Sequence, residues 1–174
     1  RRAWWGNLSS GVNRVWYSAA DDVETYGATD FYTFDYDVTG IRKGYGGIYV
    51  HTARTITLIS ATGNSTTPYR KLDVIVAEDD MGGSESGRAI LNVPGVGQVF
   101  PRRDGIYALT PGQELVKISD KLDGSRFWDS INGDRLAYSH ATIYPVKGWA
   151  IFWLPYGSSQ IKMNRPMIFD YKKS

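Results

Sequence analysis

The chain has 174 residues, enough to bury one core and few for two, and 20 Lys plus Arg against 18 Asp plus Glu leave a formal net charge of +2, which excludes a global field steering it onto nucleic acid. It has no cysteine, so neither a disulfide framework nor a thiolate metal site can form and stability must come from packing. Its 6 Trp, 12 Tyr and 6 Phe, punctuated by 19 Gly and 7 Pro, are the composition of short strands joined by frequent turns, which argues against long helices.

In chain order, residues 13–18 (Asn-Arg-Val-Trp-Tyr-Ser) predict a strand running into a polar loop, with Asp21 and Asp22 placed to make Asx-type turn bonds. A second aromatic run covers 31–36. The glycines of 40–47 predict a turn or bulge ahead of a strand at 48–52, and Ala53-Arg54 then joins that strand to another at 55–60 as a hairpin. A loop at 61–68 precedes an apolar strand at 72–77. Residues 78–87 carry carboxylates and glycines with no periodic apolar face, and read as a long mobile excursion. Short strands follow at 90–93 and 96–100, then the hairpin dipeptide Asp104-Gly105, then a strand at 114–119 set off by Pro111-Gly112. Phe127, Trp128 and Ile131 are spaced for one helical turn within 127–135, which Asn132-Gly133 ends. Residues 136–146 return to β character, and 149–154 and 167–171 are the last strands, joined by a loop at 155–166.

The longest apolar stretch, 149–155, is far short of a membrane span, and the amino end lacks the basic, apolar and small-residue pattern of a leader peptide, so no membrane insertion is expected. The chain starts Arg1-Arg2-Ala3 without Met and meets Trp4 and Trp5 at once, the expectation for a piece cut from a longer polypeptide.

Chemical motifs are sparse. His51 and His140 stand in no metal-ligand spacing. Gly83-Ser84-Glu85-Ser86-Gly87 matches the nucleophile-elbow string but follows no apolar strand, so no catalytic serine is expected there. Asp21, Asp22, Glu78, Asp79 and Asp80 are the acids from which a glycosidase pair would be drawn; adjacent loop acids are more simply solvated, and 78–80 lack the ligand alternation of a calcium loop. The basic pairs Arg1-Arg2, Arg102-Arg103 and Lys172-Lys173 read as surface or partner contacts rather than phosphate sites. No catalytic residue, cofactor or metal is assigned.

Gly47-Ile48-Tyr49-Val50-His51-Thr52 and Gly105-Ile106-Tyr107-Ala108-Leu109-Thr110 look like copies of one unit, with Gly148-Trp149-Ala150-Ile151-Phe152-Trp153 a looser third. Their separation, roughly 40 to 60 residues, is the period of propeller blades. In 149–154 both alternating faces are apolar, which predicts a strand covered on each side, as neighbouring blades would do. The fold expected is all-β and β-propeller-like, with about four blades or part of a larger propeller, in a single domain over 1–174.

The run Asn13-Arg14-Val15-Trp16-Tyr17-Ser18-Ala19-Ala20-Asp21-Asp22-Val23-Glu24 resembles the Asn-Arg-aromatic-Ser-Asp-Pro-Glu segment of the propeller-bearing nozzle or lower tail-tube proteins of short-tailed bacteriophages, with Val23 in place of Pro. Gly105-Ile106-Tyr107-Ala108-Leu109, Lys117-Ile118-Ser119-Asp120, Trp128-Asp129-Ser130-Ile131-Asn132, Ala150-Ile151-Phe152-Trp153-Leu154-Pro155 and Met167-Ile168-Phe169-Asp170-Tyr171 extend the similarity in order over most of the chain. The resemblance implies a non-enzymatic virion tail component that supports genome ejection. Its partners would be other copies in a ring and neighbouring tail proteins, with DNA passing transiently through. Such proteins are much longer, so either more chain lies outside these residues, or copies complete one another, or a reduced propeller closes with four blades. The alternative from another class is a carbohydrate-binding β module in which Trp4, Trp5, Trp16 or Trp128 stacks on sugar rings. A third is a glycosidase propeller.

Overall fold

The structure, a computed structural model, describes residues 2–8, 11–64, 67–76, 82–119 and 124–173. Its strands form four antiparallel sheets, and in each sheet neighbours in space are neighbours in sequence. The first sheet is β1 (Trp4–Leu8), β2 (Gly11–Tyr17) and β3 (Phe31–Thr33), and the second is β4 (Val38–Gly44), β5 (Gly47–Thr52), β6 (Thr55–Ala61) and β7 (Tyr69–Val76). The third is β8 (Leu91–Val93), β9 (Gly97–Arg102), β10 (Gly105–Leu109) and β11 (Leu115–Lys117), and the fourth is β12 (His140–Tyr144), β13 (Trp149–Leu154) and β14 (Arg165–Asp170). A short helix, α1 (Gly124–Asp129), and a 3-10 turn at Gly133–Tyr138 connect the last two sheets. The all-β expectation holds at this level: four successive meanders, two of four strands and two of three.

The core lies between the sheets in three layers. Val15 and Trp4 of the first sheet pack with Val38, Val50 and Ile59 of the second. On the opposite face of the second sheet, Tyr49, Ile56 and Leu58 meet Phe100 and Leu109 of the third. The third sheet's other face places Val99, Ile106 and Ala108 against Ala150, Phe152 and Leu154 of the fourth, with Trp128, Ile131 and Leu136 filling the side. The two middle sheets are therefore covered on both faces. No buried cluster among the described residues joins the fourth sheet back to the first. The strands that open the sheets gather on one side: β4 touches β1, β2 and the 3-10 turn at Gly87–Ala89, and β12 touches that same turn and β8.

Several expectations change. Trp4–Leu8, which carries no strand signal beyond its two Trp, pairs with β2. The glycine run at 40–47 is mostly strand β4; only Tyr45-Gly46 turns the chain, with Gly46 at φ +82°, and a register shift marks the bulge between Val38 and Gly40. The strand expected at 136–146 shortens to His140–Tyr144, because Leu136 is buried by the 3-10 turn. The Asp104-Gly105 hairpin is displaced by one residue: Arg102 pairs with Gly105, so Arg103-Asp104 forms the turn and Gly105 begins the strand.

The repeat is real as a succession of sheets but its register differs from the matched letters. Gly47 begins the second strand of its sheet, whereas Gly105 begins the third. The equivalent of Gly47 is Gly97, and a Cβ on either would lie against a carbonyl of the third strand, 2.2 Å from Ile59 O and 2.1 Å from Leu109 O respectively. Each follows a glycine of positive φ in the preceding turn, Gly46 at +82° and Gly95 at +78°.

Candidate functional site

Where the opening strands gather, a cleft of about 690 Å3 is lined by Asp37 and residues of β4, the 85–88 segment and the end of the 3-10 turn at Gly133–Tyr138. Residues 82–87, expected to be mobile, are held here: Ser84 and Ser86 are buried. Gly82 N and Gly83 N donate to Arg54 O and Ala53 O, the Thr39 hydroxyl donates to Ser84 O, and Ser86 Oγ donates to Ser139 O at 2.6 Å. Arg42 completes the arrangement. Its guanidinium donates to Gly87 O at 2.6 Å, Ile90 O at 3.1 Å and Ile41 O at 3.0 Å, tying β4 to the entry of the third sheet. Glu85 accepts from Arg103 Nε at 2.7 Å, and this carboxylate holds the guanidinium pKa above its ordinary value.

These bonds decide what the cleft does. Hydroxyls and a guanidinium satisfied mostly by carbonyls of the segments that connect the sheets are braces, since each buried carbonyl would otherwise be desolvated without a partner. Ser84 Oγ donates to Ser86 O at 3.1 Å and accepts from Ser86 N, so the elbow-like string is a buried turn.

The other singled-out residues are dispersed. Asp22 makes the expected Asx turn, accepting from Thr25 Oγ1 at 2.6 Å, Glu24 N at 3.0 Å and Thr25 N at 3.3 Å, and these bonds hold its carboxyl below the usual carboxylate range. Glu78, Asp79 and Asp80 lie outside the described residues. His51 is buried in β5 with Nε2 2.9 Å from Gln98 Oε1, whereas His140 is exposed on β12 and stacks against Trp153. Among the described residues no group of three His, Cys, Asp or Glu gathers as a metal site. The basic pairs are internal braces as much as surface: Arg102 is buried over the Tyr107 ring, Lys172 Nζ reaches Val146 O and Lys173 pairs with Asp170.

The four tryptophans singled out for sugar stacking form no common exposed platform, although Trp5 and Trp16 are cross-strand partners on one face of the first sheet. Trp16 and Trp128 are buried, Trp4 packs between the first two sheets, and Trp5 lies edge-on to Tyr26. The large apolar surface is elsewhere, on the outer face of the fourth sheet. Register aligns His140, Trp153 and Pro166, then Thr142, Ile151 and Ile168, then Tyr144, Trp149 and Asp170, all on the face opposite Phe152. Trp149, Ile151 and Trp153 are half-buried there, and Ile168 is 46% exposed. The cover expected on both sides of this strand is thus supplied on one side by the described residues. The outer face of the first sheet carries Trp5, Trp16 and Phe31 in register and is partly closed by Tyr26 over Trp5 and by Arg14 over Phe31. No single residue of 149–154 announced this site; the signal was apolar alternation on both faces.

No family model and no curated protein matches the chain.

Proposed function

We propose that the chain is a structural module of a bacteriophage tail, a four-blade sector of a propeller whose outer faces pack against further copies or neighbouring tail proteins in a ring around the exiting genome. The observation that carries the reading is the outer face of the fourth sheet, where a sheet of purely solvated surroundings would present polar residues and this one presents Trp149, Ile151, Trp153 and Ile168. The braced hub around Arg42 and Ser86 supports it as well, because a ring component acts by stiffness and the polar side chains of the hub are spent on holding sheets together. The ordered resemblance described above supplies the tail context.

Mass spectrometry of purified particles, with electron microscopy of the tail, tests the proposal. The expected result is a fixed stoichiometric component located at the tail; recovery from infected lysate but never from intact particles rejects it.

A further inference from the structure

A second cleft, of about 350 Å3, opens between the hairpin tips of the second and third sheets and shares no lining residue with the first. It is within the size range of small-molecule sites. Its floor is Tyr49, Gln98 and Leu109, all buried, and its rim carries Tyr45, 76% exposed at the tip between β4 and β5. Gly44 keeps the wall open, since a Cβ there would fall 2.6 Å from the Tyr49 ring and 3.0 Å from Gln98 Nε2.

Two amides give this cleft its chemistry. Gln98, 4% exposed, has its Oε1 fixed by His51 Nε2 at 2.9 Å, and its NH2, on the cleft wall, gives one hydrogen to Lys43 O in a long bond of 3.4 Å and carries a second. Asn92 gives one amide hydrogen to Lys43 O at 2.8 Å and carries a second hydrogen and a carbonyl oxygen beyond that bond. A purely apolar ligand would desolvate these amides without answering them. An ionic ligand would meet one charged side chain in the lining, Lys43. A sugar ring satisfies both constraints, placing its C–H face on an aromatic side chain and its hydroxyls on amides. We propose that this cleft binds a neutral hexose unit of a glycan, with Tyr45 as the stacking platform and Gln98 and Asn92 as the groups that read its hydroxyls.

The site is independent of the tail assignment and is tested on the intact chain. An array of neutral and acidic oligosaccharides identifies a ligand, and calorimetric titration of the strongest neutral glycan then compares Tyr45→Ala, Tyr45→Phe and Asn92→Ala with the parent. Tyr45 and Asn92 are exposed, so these variants are expected to fold, as unchanged circular dichroism melts would verify. The expected result is retention of neutral glycans, a loss of about tenfold or more in Tyr45→Ala and Asn92→Ala, and parent-like affinity in Tyr45→Phe. Retention of acidic glycans alone, no retained neutral glycan at millimolar concentration, or undiminished affinity in Tyr45→Ala would overturn the assignment.

Discussion

Lowering the pH from 7.5 to 4.5 sets burial of His51 against its charge. The ring is fully buried in β5, edge-on to Phe100 at 5.1 Å between ring centres; Nε2 is bonded to Gln98 and Nδ1 has no hydrogen-bond partner among the described residues. Burial, the largest effect, draws its pKa from 6.5 down to about 4; the Gln98 bond works the other way and the charge of Arg42 adds to the lowering. The unfolded chain therefore takes up this proton near pH 6.5 and the folded chain only near pH 4. Between those values the unfolded state holds more protons, so this contribution is complete above pH 6.5 and is lost as pH falls toward 4. At pH 4.5 the loss amounts to about 2 to 3 kcal/mol, a large part of a typical folding stability, and lowers Tm by roughly 5 to 10 °C in a chain of this size. Urea unfolding of the parent and of His51→Gln at both pH values isolates it. The carboxylates titrate in both proteins and cancel, while glutamine keeps an amide donor for Gln98 without a titrating group. The parent should lose about 2 to 3 kcal/mol more than the variant between the two pH values. Equal losses would refute the claim that buried His51 is held neutral.

Two further outcomes follow from the packing. Gly97→Ala should destabilise the chain by several kcal/mol or prevent folding, because the new Cβ would lie 2.1 Å from Leu109 O at a φ of +122°, whereas Gly95→Ala, at φ +78° with open space around it, should cost about 1 to 2 kcal/mol. Denaturant unfolding of the two variants compares them, and equal costs would contradict the close sheet contact. Ser86→Ala should cost about 1 to 3 kcal/mol by leaving the buried Ser139 carbonyl without its donor. A change below about 0.5 kcal/mol in the same assay would remove Ser86 from the brace.

The sequence disclosed strands wherever apolar alternation and a turn signal coincide, as at Gly47–Thr52 with Ala53-Arg54 after it, or at Trp149–Leu154. It concealed features set by distant partners. Gly40 reads as chain reversal, yet it lies in β4, where a Cβ would collide with Ile90 Cδ1 at 2.6 Å and Gly87 Cα at 2.8 Å; the glycine serves the approach of the segment that leads into the third sheet. Ser84 and Ser86 read as mobile for the same reason, since their bonds run to Thr39, 45 residues back, and Ser139, 53 residues ahead. Local polarity says that a hydroxyl needs a partner and nothing about which segment provides it. Gly105 misled by matching Gly47 in letters, while the structural match is Gly97, whose following Gln98-Val99-Phe100 agrees with Ile48-Tyr49-Val50 at no aligned position.

The fourth sheet joins these threads. On β13 the inward residues Ala150, Phe152 and Leu154 are fully buried by the third sheet, so the sequence pattern on that side is explained by this chain. The outward residues Trp149, Ile151 and Trp153 obey the same apolar rule but belong to none of the buried clusters among the described residues, and Ile168 and Tyr144 beside them are 46% and 45% exposed. The second and third sheets show what such a two-faced pattern accompanies in this fold, a further sheet laid across each face. On the tail-module reading, a neighbouring blade supplies that missing layer. The apolar face and the ring then have a common cause, the free energy gained when exposed aromatic area is removed from water at about 25 cal/mol per Å2.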